Sequence, residues 1–394
     1  MIELIDRNCS ICSSTASEVL FAQPIGAIAG IGDVGFSQQI VICRDCGFVY
    51  ATPVPCQEVL AGYYAHLSNY ENRFYPNGDY PQDRKAAFDE VHELIINRLP
   101  PGFSGRALEI GCGVAYLLSL FKQKGWEVLG IDPSPTCAAI SKRLYNVDCI
   151  TSVYNSRLFN GLKPFDLIIL SQVLEHLIAP QELVADLSGI LTEEGLVYIE
   201  VPNLYHPNVD MGYYSFEHLN YFSPMSFASL MQRHGFTYDY PETYGHPIHY
   251  TWKRGAEAKI RTTNEYASAA KAVKNYQKTS QQEVARIQKR VDHILAEISP
   301  SRLALWGAGI HTSQILCFTG LSKAGLACLF DNDPRKQGLA LEGIPVKGFN
   351  QPPMELKQEI DAILISSKYF ENEIFEQIAY LQDYGIKVFK LYTG

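Results

Sequence analysis

The sequence predicts an α/β protein in which two doubly wound parallel sheets follow a small cysteine-rich module. Three observations support this prediction. Two closely spaced cysteine pairs occur before residue 50, and a strand, a glycine turn, a helix and a second strand follow one another from residue 106 and again from residue 302. A chain of 394 residues is also long for one hydrophobic core, so we expect two or three domains.

Composition and charge narrow the classes of function and partner. The formal net charge is −9 and no lysine–arginine cluster occurs, which argues against a nucleic-acid partner. The first ten residues, MIELIDRNCS, lack a basic region followed by an apolar core, so we expect no signal peptide. No apolar run approaches the roughly 20 residues that span a bilayer. We therefore expect a cytoplasmic protein with no membrane partner.

Two C-x-x-C pairs predict a metal site in the N-terminal module. Cys9 and Cys12 form the first pair, and Cys43 and Cys46 form the second. A two-residue spacer lets one tight turn direct two thiolates at one ion, and four thiolates give the tetrahedral coordination that suits zinc. Because the protein would supply all four ligands, the predicted zinc is structural. A redox motif or two unrelated buried pairs are the alternatives.

The glycine turn of the first α/β unit, in RALEIGCGVAYLLSLFKQKGWEVLGIDPS, predicts a ligand site. Gly111 and Gly113 let the backbone approach a ligand, and Asp132, at the end of the next strand, can accept hydrogen bonds from two ribose hydroxyls. Ala115 replaces the third glycine of the dinucleotide pattern. This looser turn suits S-adenosylmethionine, which has no phosphate, better than a pyrophosphate. A nicotinamide-binding turn or a turn without a ligand is the alternative.

The rest of the chain continues the same pattern. FDLIILSQVLEHL and GLVYIEVPN predict two more strands of a parallel sheet, with His176 capping or packing the helix after the first of them. Residues 255–300 predict a connecting helix that packs Val284, Ile287, Val291 and Ile294 on a domain. The second glycine turn, GAGIHTSQIL, is weak evidence for a nucleotide site by itself, so substrate contact, a scaffold and a second cofactor stay open.

The segments LEIGCG, GIDPS, SQVLEHL and VPN resemble class I S-adenosylmethionine-dependent methyltransferases. With the cysteine pairs and EHLNYFS, nearly the whole chain resembles the three-domain deoxysugar C-methyltransferases, which act on nucleotide-linked keto-sugars. We expect a zinc-binding module at residues 1–65, a Rossmann-like methyltransferase domain at 66–254, and a connecting helix with a second Rossmann-like domain at 255–394. The cofactor site that the resemblance implies consists of Glu109, Gly111, Gly113 and Asp132, with Gln172 near the sulfonium.

The stretch GYYSFEHLNYFS, residues 212–223, follows the fifth strand and predicts the catalytic residues. A carbon next to a ketone attacks a methyl group only as an enolate, so a general base is needed, and histidine suits that role near neutrality. We expect His218 to be this base and Glu217 to support it. The resembling family has a tyrosine where this chain has Ser215, a departure that raises the chance of an oxygen or nitrogen acceptor. An aromatic-packed histidine and a capping glutamate are the structural alternatives.

The sequence therefore predicts an S-adenosylmethionine-dependent methyltransferase of a small biosynthetic intermediate. The favoured substrate is a nucleotide-linked deoxy keto-sugar methylated on carbon, as in sugar biosynthesis. An O- or N-methyltransferase of another small molecule, a non-catalytic cofactor-binding protein and an oxidoreductase that uses both glycine turns are the alternatives. The acceptor atom, the sugar and the oligomeric state stay open at this point.

Overall fold

Three successive parts make up the structure, a computed structural model that describes residues 2–32, 35–67, 78–207, 211–241, 245, 247–255, 264–368 and 370–393. A small β-rich module comes first, and two α/β domains follow it. This arrangement confirms the predicted fold class. None of the helices in these ranges is long and apolar enough to cross a membrane.

The N-terminal module consists of short antiparallel strands and one helix. Its elements are β1 Leu4–Ile5, β2 Ser17–Ile25, β3 Phe36–Cys43, β4 Val49–Thr52, β5 Val54–Pro55 and α1 Gln57–His66. β2, β3 and β4 are hydrogen-bonded neighbours, and β1 pairs with β5. The side chains of Ile40, Ile42 and Val49 are fully buried, so this small sheet has an apolar face that must be covered by another part of the chain.

The middle domain has a seven-stranded sheet. Its elements are α2 Gln82–Ile96, β6 Arg106–Ile110, α3 Tyr116–Gln123, β7 Glu127–Asp132, α4 Pro135–Tyr145, β8 Cys149–Thr151, β9 Phe165–Ser171, α5 Pro180–Ile190, β10 Leu191–Val201, β11 Asn220–Tyr221, α6 Pro224–Arg233, β12 Phe236–Pro241 and β13 Ile248–Arg254. The strand order is β12-β13-β10-β9-β6-β7-β8. The five strands from β10 to β8 are parallel, whereas β13 and β12 are antiparallel additions. The carboxyl ends of β6, β7 and β9 therefore meet at one edge of the sheet.

A long helix leads into the C-terminal domain. The elements are α7 Tyr266–Glu297, β14 Leu303–Trp306, α8 Ile310–Phe318, β15 Cys328–Phe330, β16 Ala340–Leu341, β17 Ile344–Lys347, α9 Pro353–Glu359, β18 Ala362–Ile365, α10 Glu371–Ile378 and β19 Lys387–Lys390. The sheet order is β16-β17-β15-β14-β18-β19, parallel except for β16. The second half of α7 buries Ile287, Val291 and Ile294 in the core of this domain.

One strand crosses between the first two parts. β11 belongs to the middle of the chain, but it pairs antiparallel with β4, with Asn220 opposite Tyr50 and Tyr221 opposite Val49. The next contact continues this pairing, because the Ala51 amide donates to the Leu219 carbonyl oxygen over 2.9 Å. The segment that contains Glu217 and His218 is therefore anchored on the N-terminal module. The domain boundaries at residues 65 and 254 stay predictions.

Candidate active site between two clefts

A cleft of about 790 Å³ lies at the carboxyl ends of β6, β7 and β9. The predicted cofactor residues all line it, and they are Glu109, Gly111, Gly113, Asp132 and Gln172. The structure thus brings together side chains that three separate strands carry. Their roles toward a cofactor stay predictions.

The glycine turn after β6 is held in shape by Asp132. One oxygen of this carboxylate accepts a hydrogen bond from the Gly113 amide and the other accepts one from the Ser134 amide, each over 2.9 Å. Gly111 has a φ of 74°, and a side chain there would bring its Cβ within 2.7 Å of Val173. Only glycine gives this backbone both its conformation and its space.

The polar end of this cleft carries an uncompensated carboxyl group. Glu109 is 3% exposed, and its Oε2 atom has no hydrogen-bond partner among the described residues. Burial, with Cys149 and Asp132 nearby, raises the pKa of Glu109 well above its usual value. Gln172 donates from Nε2 to Glu200 Oε1 over 2.8 Å, which fixes its orientation. A buried acceptor without a donor suits a ligand that brings a positive charge or an N–H group.

A second cleft of about 850 Å³ lies at the carboxyl ends of β14, β15 and β18. Its glycine turn repeats the geometry of the first. Asp331 accepts hydrogen bonds from the Ala308 amide over 2.9 Å and from the Asp333 amide over 2.8 Å, as Asp132 does from Gly113 and Ser134. The C-terminal domain therefore keeps the backbone shape of a nucleotide-binding turn.

The sequence Glu-His-Leu occurs twice, at 175–177 and 217–219, and the two copies pack against each other. The Leu219 amide donates to the Glu175 carbonyl oxygen over 2.7 Å. In return, His176 Nδ1 donates to the Glu217 carbonyl oxygen over 2.8 Å. Asn220 Nδ2 adds hydrogen bonds to the carbonyl oxygens of Leu174, at 2.9 Å, and Leu177, at 2.7 Å. The segment after β9 and the segment before β11 thus form one rigid unit.

Two tyrosines of α1 complete this unit and connect it with both clefts. Tyr63 donates from its hydroxyl to Glu217 Oε1 over 2.7 Å, and both residues line the second cleft. The Tyr64 hydroxyl lies 2.9 Å from His176 Nδ1, and both residues line the first cleft. The two clefts therefore meet on opposite sides of one small cluster of tyrosine, glutamate and histidine side chains.

His218 stands beside His176 in this cluster. The two ring centroids are 5.0 Å apart and the rings meet edge to face. In the part of the chain that the structure describes, His218 itself lines neither cleft. Burial lowers the pKa of His176 to about 4, so His176 is a weak base at neutral pH. The catalytic roles of Glu217 and His218 stay predictions.

Ser215, which stands where the family has a tyrosine, is buried and 6% exposed. Phenol groups near the two histidines come from other positions, namely Tyr63 and Tyr64 of α1, and Tyr213, whose ring centroid is 6.2 Å from that of His218. The sequence did not point to Tyr63, Tyr64 or Glu175, and for His176 it favoured a capping or packing role over ligand contact. The repeated Glu-His-Leu is the signal that could have revealed this contact.

The four predicted zinc ligands come together in the N-terminal module. Their sulfur atoms lie within 4.8 Å of one another, with 3.5 Å between Cys9 and Cys46 and 3.5 Å between Cys12 and Cys43. A tetrahedral zinc with bonds of about 2.3 Å to sulfur places the sulfur atoms roughly 3.8 Å apart, so the four residues fit such an ion. No other group is needed to complete the coordination.

Arg7 links this cysteine cluster to the unit that carries His218. Its Nη2 donates to Ser10 Oγ over 2.7 Å and also to Asn220 Oδ1. Its Nε and Nη1 atoms are buried without a hydrogen-bond partner among the described residues, and Cys9 is close enough to affect its charge. A zinc ion with four thiolate ligands has a net charge of −2. This negative charge would compensate the buried positive charge of Arg7.

Two family assignments cover most of the chain. Residues 82–240 match a methyltransferase domain family, and residues 246–391 match a C-methyltransferase C-terminal domain family. Among curated proteins, the C-methyltransferase NovU of Streptomyces niveus is 25% identical over 210 residues, which are 52% of this chain and 47% of the relative. An uncharacterized methyltransferase of Staphylococcus carnosus (strain TM300) is 33% identical over 108 residues, 27% of this chain and 51% of the relative. The chain spans about half the length of these relatives.

The two solved structures named next resemble about half of the chain. The CcbJ methyltransferase of Streptomyces caelestis has 12% identity and a TM-score of 0.40, over 50% of this chain and 99% of that one. Magnesium protoporphyrin IX methyltransferase (ChlM) of Synechocystis PCC 6803 has 13% identity and a TM-score of 0.39, over 51% and 100%. Residues 82–240 thus belong to a methyltransferase domain family and residues 246–391 to a C-methyltransferase C-terminal domain family, the combination that the resemblance to three-domain S-adenosylmethionine-dependent C-methyltransferases implies.

Proposed function

We propose that the protein transfers a methyl group from S-adenosylmethionine to a carbon atom next to the carbonyl group of a nucleotide-linked deoxy keto-sugar. The observation that supports this proposal most directly is the meeting of two clefts at one cluster of ionisable side chains. Tyr64 and His176 face the first cleft, and Tyr63 and Glu217 face the second. A methyl donor in one cleft and a long acceptor in the other would bring their reacting ends together there.

The first cleft fits the proposed cofactor. S-adenosylmethionine, when bound, supplies an electrophilic methyl group. Asp132 would accept hydrogen bonds from the ribose, and Glu109, whose buried Oε2 lacks a donor, would pair with the cationic amino acid part. Gly111 and Gly113 leave the backbone room to approach the ligand.

The second cleft suits the nucleotide of an activated sugar. The turn formed by Gly307, Ala308 and Gly309 opens into it at the start of α8, where backbone amides point away from the helix. Arg335 and Lys336 line the same cleft, where they are paired with Asp333 at 2.8 Å and Asp331 at 3.2 Å, and a diphosphate would share these cations with the two carboxylates. The sugar would then extend toward Tyr63 and Glu217, which line the second cleft next to Tyr64 and His176 of the first.

His218 acts as the general base in this proposal. It takes the proton from the carbon next to the carbonyl, and the resulting enolate carbon forms a bond to the methyl group as the sulfur–methyl bond breaks. His176 is a weak base near neutral pH, because burial lowers its pKa to about 4. Glu217, held by the Tyr63 hydroxyl, orients the sugar from the second cleft. The proton leaves from His218 to solvent after the product departs.

A second candidate function is methyl transfer to oxygen or nitrogen. The buried Ser215 favours it, because the tyrosine that the family uses is replaced there by a smaller hydroxyl group. Ubiquinone biosynthesis O-methyltransferase of Rhodopseudomonas palustris (strain TIE-1) is 27% identical over 101 residues, 25% of this chain. That match is too short to outweigh the C-methyltransferase C-terminal domain.

The two candidates differ in the product. We expect the purified protein, incubated with S-adenosylmethionine carrying a 13C-labelled methyl group and a panel of nucleotide-linked keto-deoxysugars, to form a product with the label on carbon. NMR of the product distinguishes this from a methyl group on oxygen or nitrogen. Labelled O-methyl or N-methyl product would favour the second candidate. Native mass spectrometry that finds a nicotinamide dinucleotide instead of an adenosyl ligand would contradict both.

The aspartates of the two clefts allow a matched pair of substitutions. We expect Asp132→Asn to weaken S-adenosylmethionine binding at least tenfold, because one acceptor is lost both for the ribose and for the glycine turn. Asp331→Asn, which makes the same change in the same backbone geometry, should leave that affinity unchanged and raise the KM for the activated sugar. Calorimetry and steady-state kinetics measure the two effects. Equal cofactor affinity in wild type and Asp132→Asn would refute the assignment of the first cleft.

A further inference from the structure

A buried carboxyl group lies inside the Glu-His-Leu unit and has no role in the chemistry proposed so far. Glu175 is 1% exposed, and neither of its carboxyl oxygens has a hydrogen-bond partner among the described residues. An unpaired carboxyl group at this depth costs folding free energy. The groups that surround Glu175 therefore indicate which role this carboxyl group has.

Two imidazole rings are the nearest partners of this carboxyl group. His176 Nε2 lies 3.6 Å from Glu175 Oε1. A carboxyl oxygen of Glu175, a ring nitrogen of His176 and a ring nitrogen of His218 all lie within 4.8 Å of one another. The carboxylate of Glu217, in contrast, accepts from Tyr63 and lines the second cleft. Glu175 is thus an acid that faces both rings, and the sequence did not point to it.

We propose that Glu175 is a positioning residue that stabilises the protonated form of His218, an inference that rests on the proposed role of His218 as the base. When His218 takes the proton from the acceptor carbon, its ring gains a positive charge in a half-buried site. The Glu175 carboxylate then supplies the opposite charge at short range. No atom or electron is needed beyond those of the methyl transfer itself.

The other ionisable groups around Glu175 leave His218 as its charged partner. His176 is neutral near pH 7, since burial lowers its pKa to about 4, and its Nδ1 proton is used by the Glu217 carbonyl oxygen. Burial also raises the pKa of the Tyr213 phenol, so this group stays neutral. Glu200 acts in the opposite direction and, together with burial, raises the pKa of Glu175. An ionised Glu175 therefore gains an attractive partner when the His218 ring takes up a proton, and no proton of Glu175 itself has to move.

Histidine NMR of the zinc-loaded protein saturated with S-adenosylhomocysteine tests this inference. We expect Glu175→Gln to lower the protonation constant of the His218 ring at least tenfold, a fall of one pH unit in its midpoint, because the carboxylate that favours the imidazolium is gone. The matched control is Glu265→Gln, a second buried carboxyl group, which is bound by Tyr205 over 2.6 Å instead of by a histidine. It should leave the His218 midpoint unchanged.

A second measurement needs no substitution. In wild-type protein labelled with 13C at glutamate Cδ, the Glu175 signal should change at the pH where His218 titrates. A Glu175 that stays protonated across that range, or an unchanged His218 midpoint in Glu175→Gln, would overturn the inference. So would cobalt binding that needs all three side chains, because it would make them metal ligands. These readouts do not depend on turnover, so a protein that titrates as expected but methylates no keto-sugar refutes only the proposed function.

Discussion

Replacement of His218 by alanine is expected to lower turnover by about 100- to 10,000-fold while leaving S-adenosylmethionine affinity unchanged, because the loss of a general base affects the transition state. His218 lines neither cleft, but its ring stands 5.0 Å from that of His176, which lines the first. Steady-state kinetics with a nucleotide-linked keto-sugar measure the first quantity, and calorimetry measures the second. His293→Ala, on the exposed face of α7, serves as the control.

Hydrogen exchange separates the base from the methyl transfer. With S-adenosylhomocysteine in place of the methyl donor, wild-type protein should exchange the acidic hydrogen of the keto-sugar with solvent deuterium, and His218→Ala should not. His176→Asn should retain slow exchange, since its ring orients the acceptor without taking the proton. Near-wild-type turnover in His218→Ala would show that this histidine is structural. Full activity without any exchange would point to an oxygen or nitrogen acceptor.

Removal of the metal should have the second large effect. We expect one tightly bound zinc per chain, and we expect Cys43→Ser to cost several kcal/mol of folding free energy, because closed four-sulfur coordination is coupled to the folding of its module. Arg7 connects Ser10, which follows Cys9 in the first cysteine pair, with Asn220. Loss of the metal should therefore also reduce turnover. Metal analysis, thermal unfolding and a turnover assay measure the three quantities.

Cys56→Ser is the matched control for this experiment. Cys56 is buried in the same module but lies outside the four-cysteine cluster, so its substitution should leave the metal content at one zinc per chain. A zinc content far below one in the wild type, together with unchanged stability in Cys43→Ser, would contradict the assignment. Normal turnover in Cys43→Ser protein that has lost its zinc would exclude the connection through Arg7.

The sequence predicted the cofactor side of the site better than the acceptor side. Gly111, Gly113 and Asp132 stand within one strand–turn–helix–strand unit, where spacing and residue type are sufficient to place them at one edge of a sheet, whereas Glu109 followed from the family resemblance. The same holds for the four cysteines, since each pair is shaped by a local turn. Within such contiguous units, the local sequence largely sets the relative positions of the residues, and tertiary packing changes them little.

The part of the site where the acceptor would bind depends on contacts between segments that are distant in the sequence. No local sequence pattern specifies such contacts. Tyr63 reaches Glu217 across 154 residues, and Tyr64 reaches His176 across 112. The helical pattern around His176 indicated a packing role, whereas the structure has a short turn there that places the ring in the cleft wall. The carboxyl group of Glu217 turns toward the second cleft because Tyr63 binds it. The fact that Glu217 and His218 are neighbours in the sequence did not reveal this orientation.

The pairing of β11 with β4 has a consequence for synthesis on the ribosome. The N-terminal module is made first, but the bond from Arg7 to Asn220 joins residues 213 positions apart. At about 5–20 residues per second, the ribosome needs roughly 10–40 s to supply that partner. During this interval the edge of β4, with its buried Val49 and Tyr50, has no neighbouring strand on that side. The nascent module therefore depends on its own two cysteine turns, or on a chaperone, until the middle domain emerges.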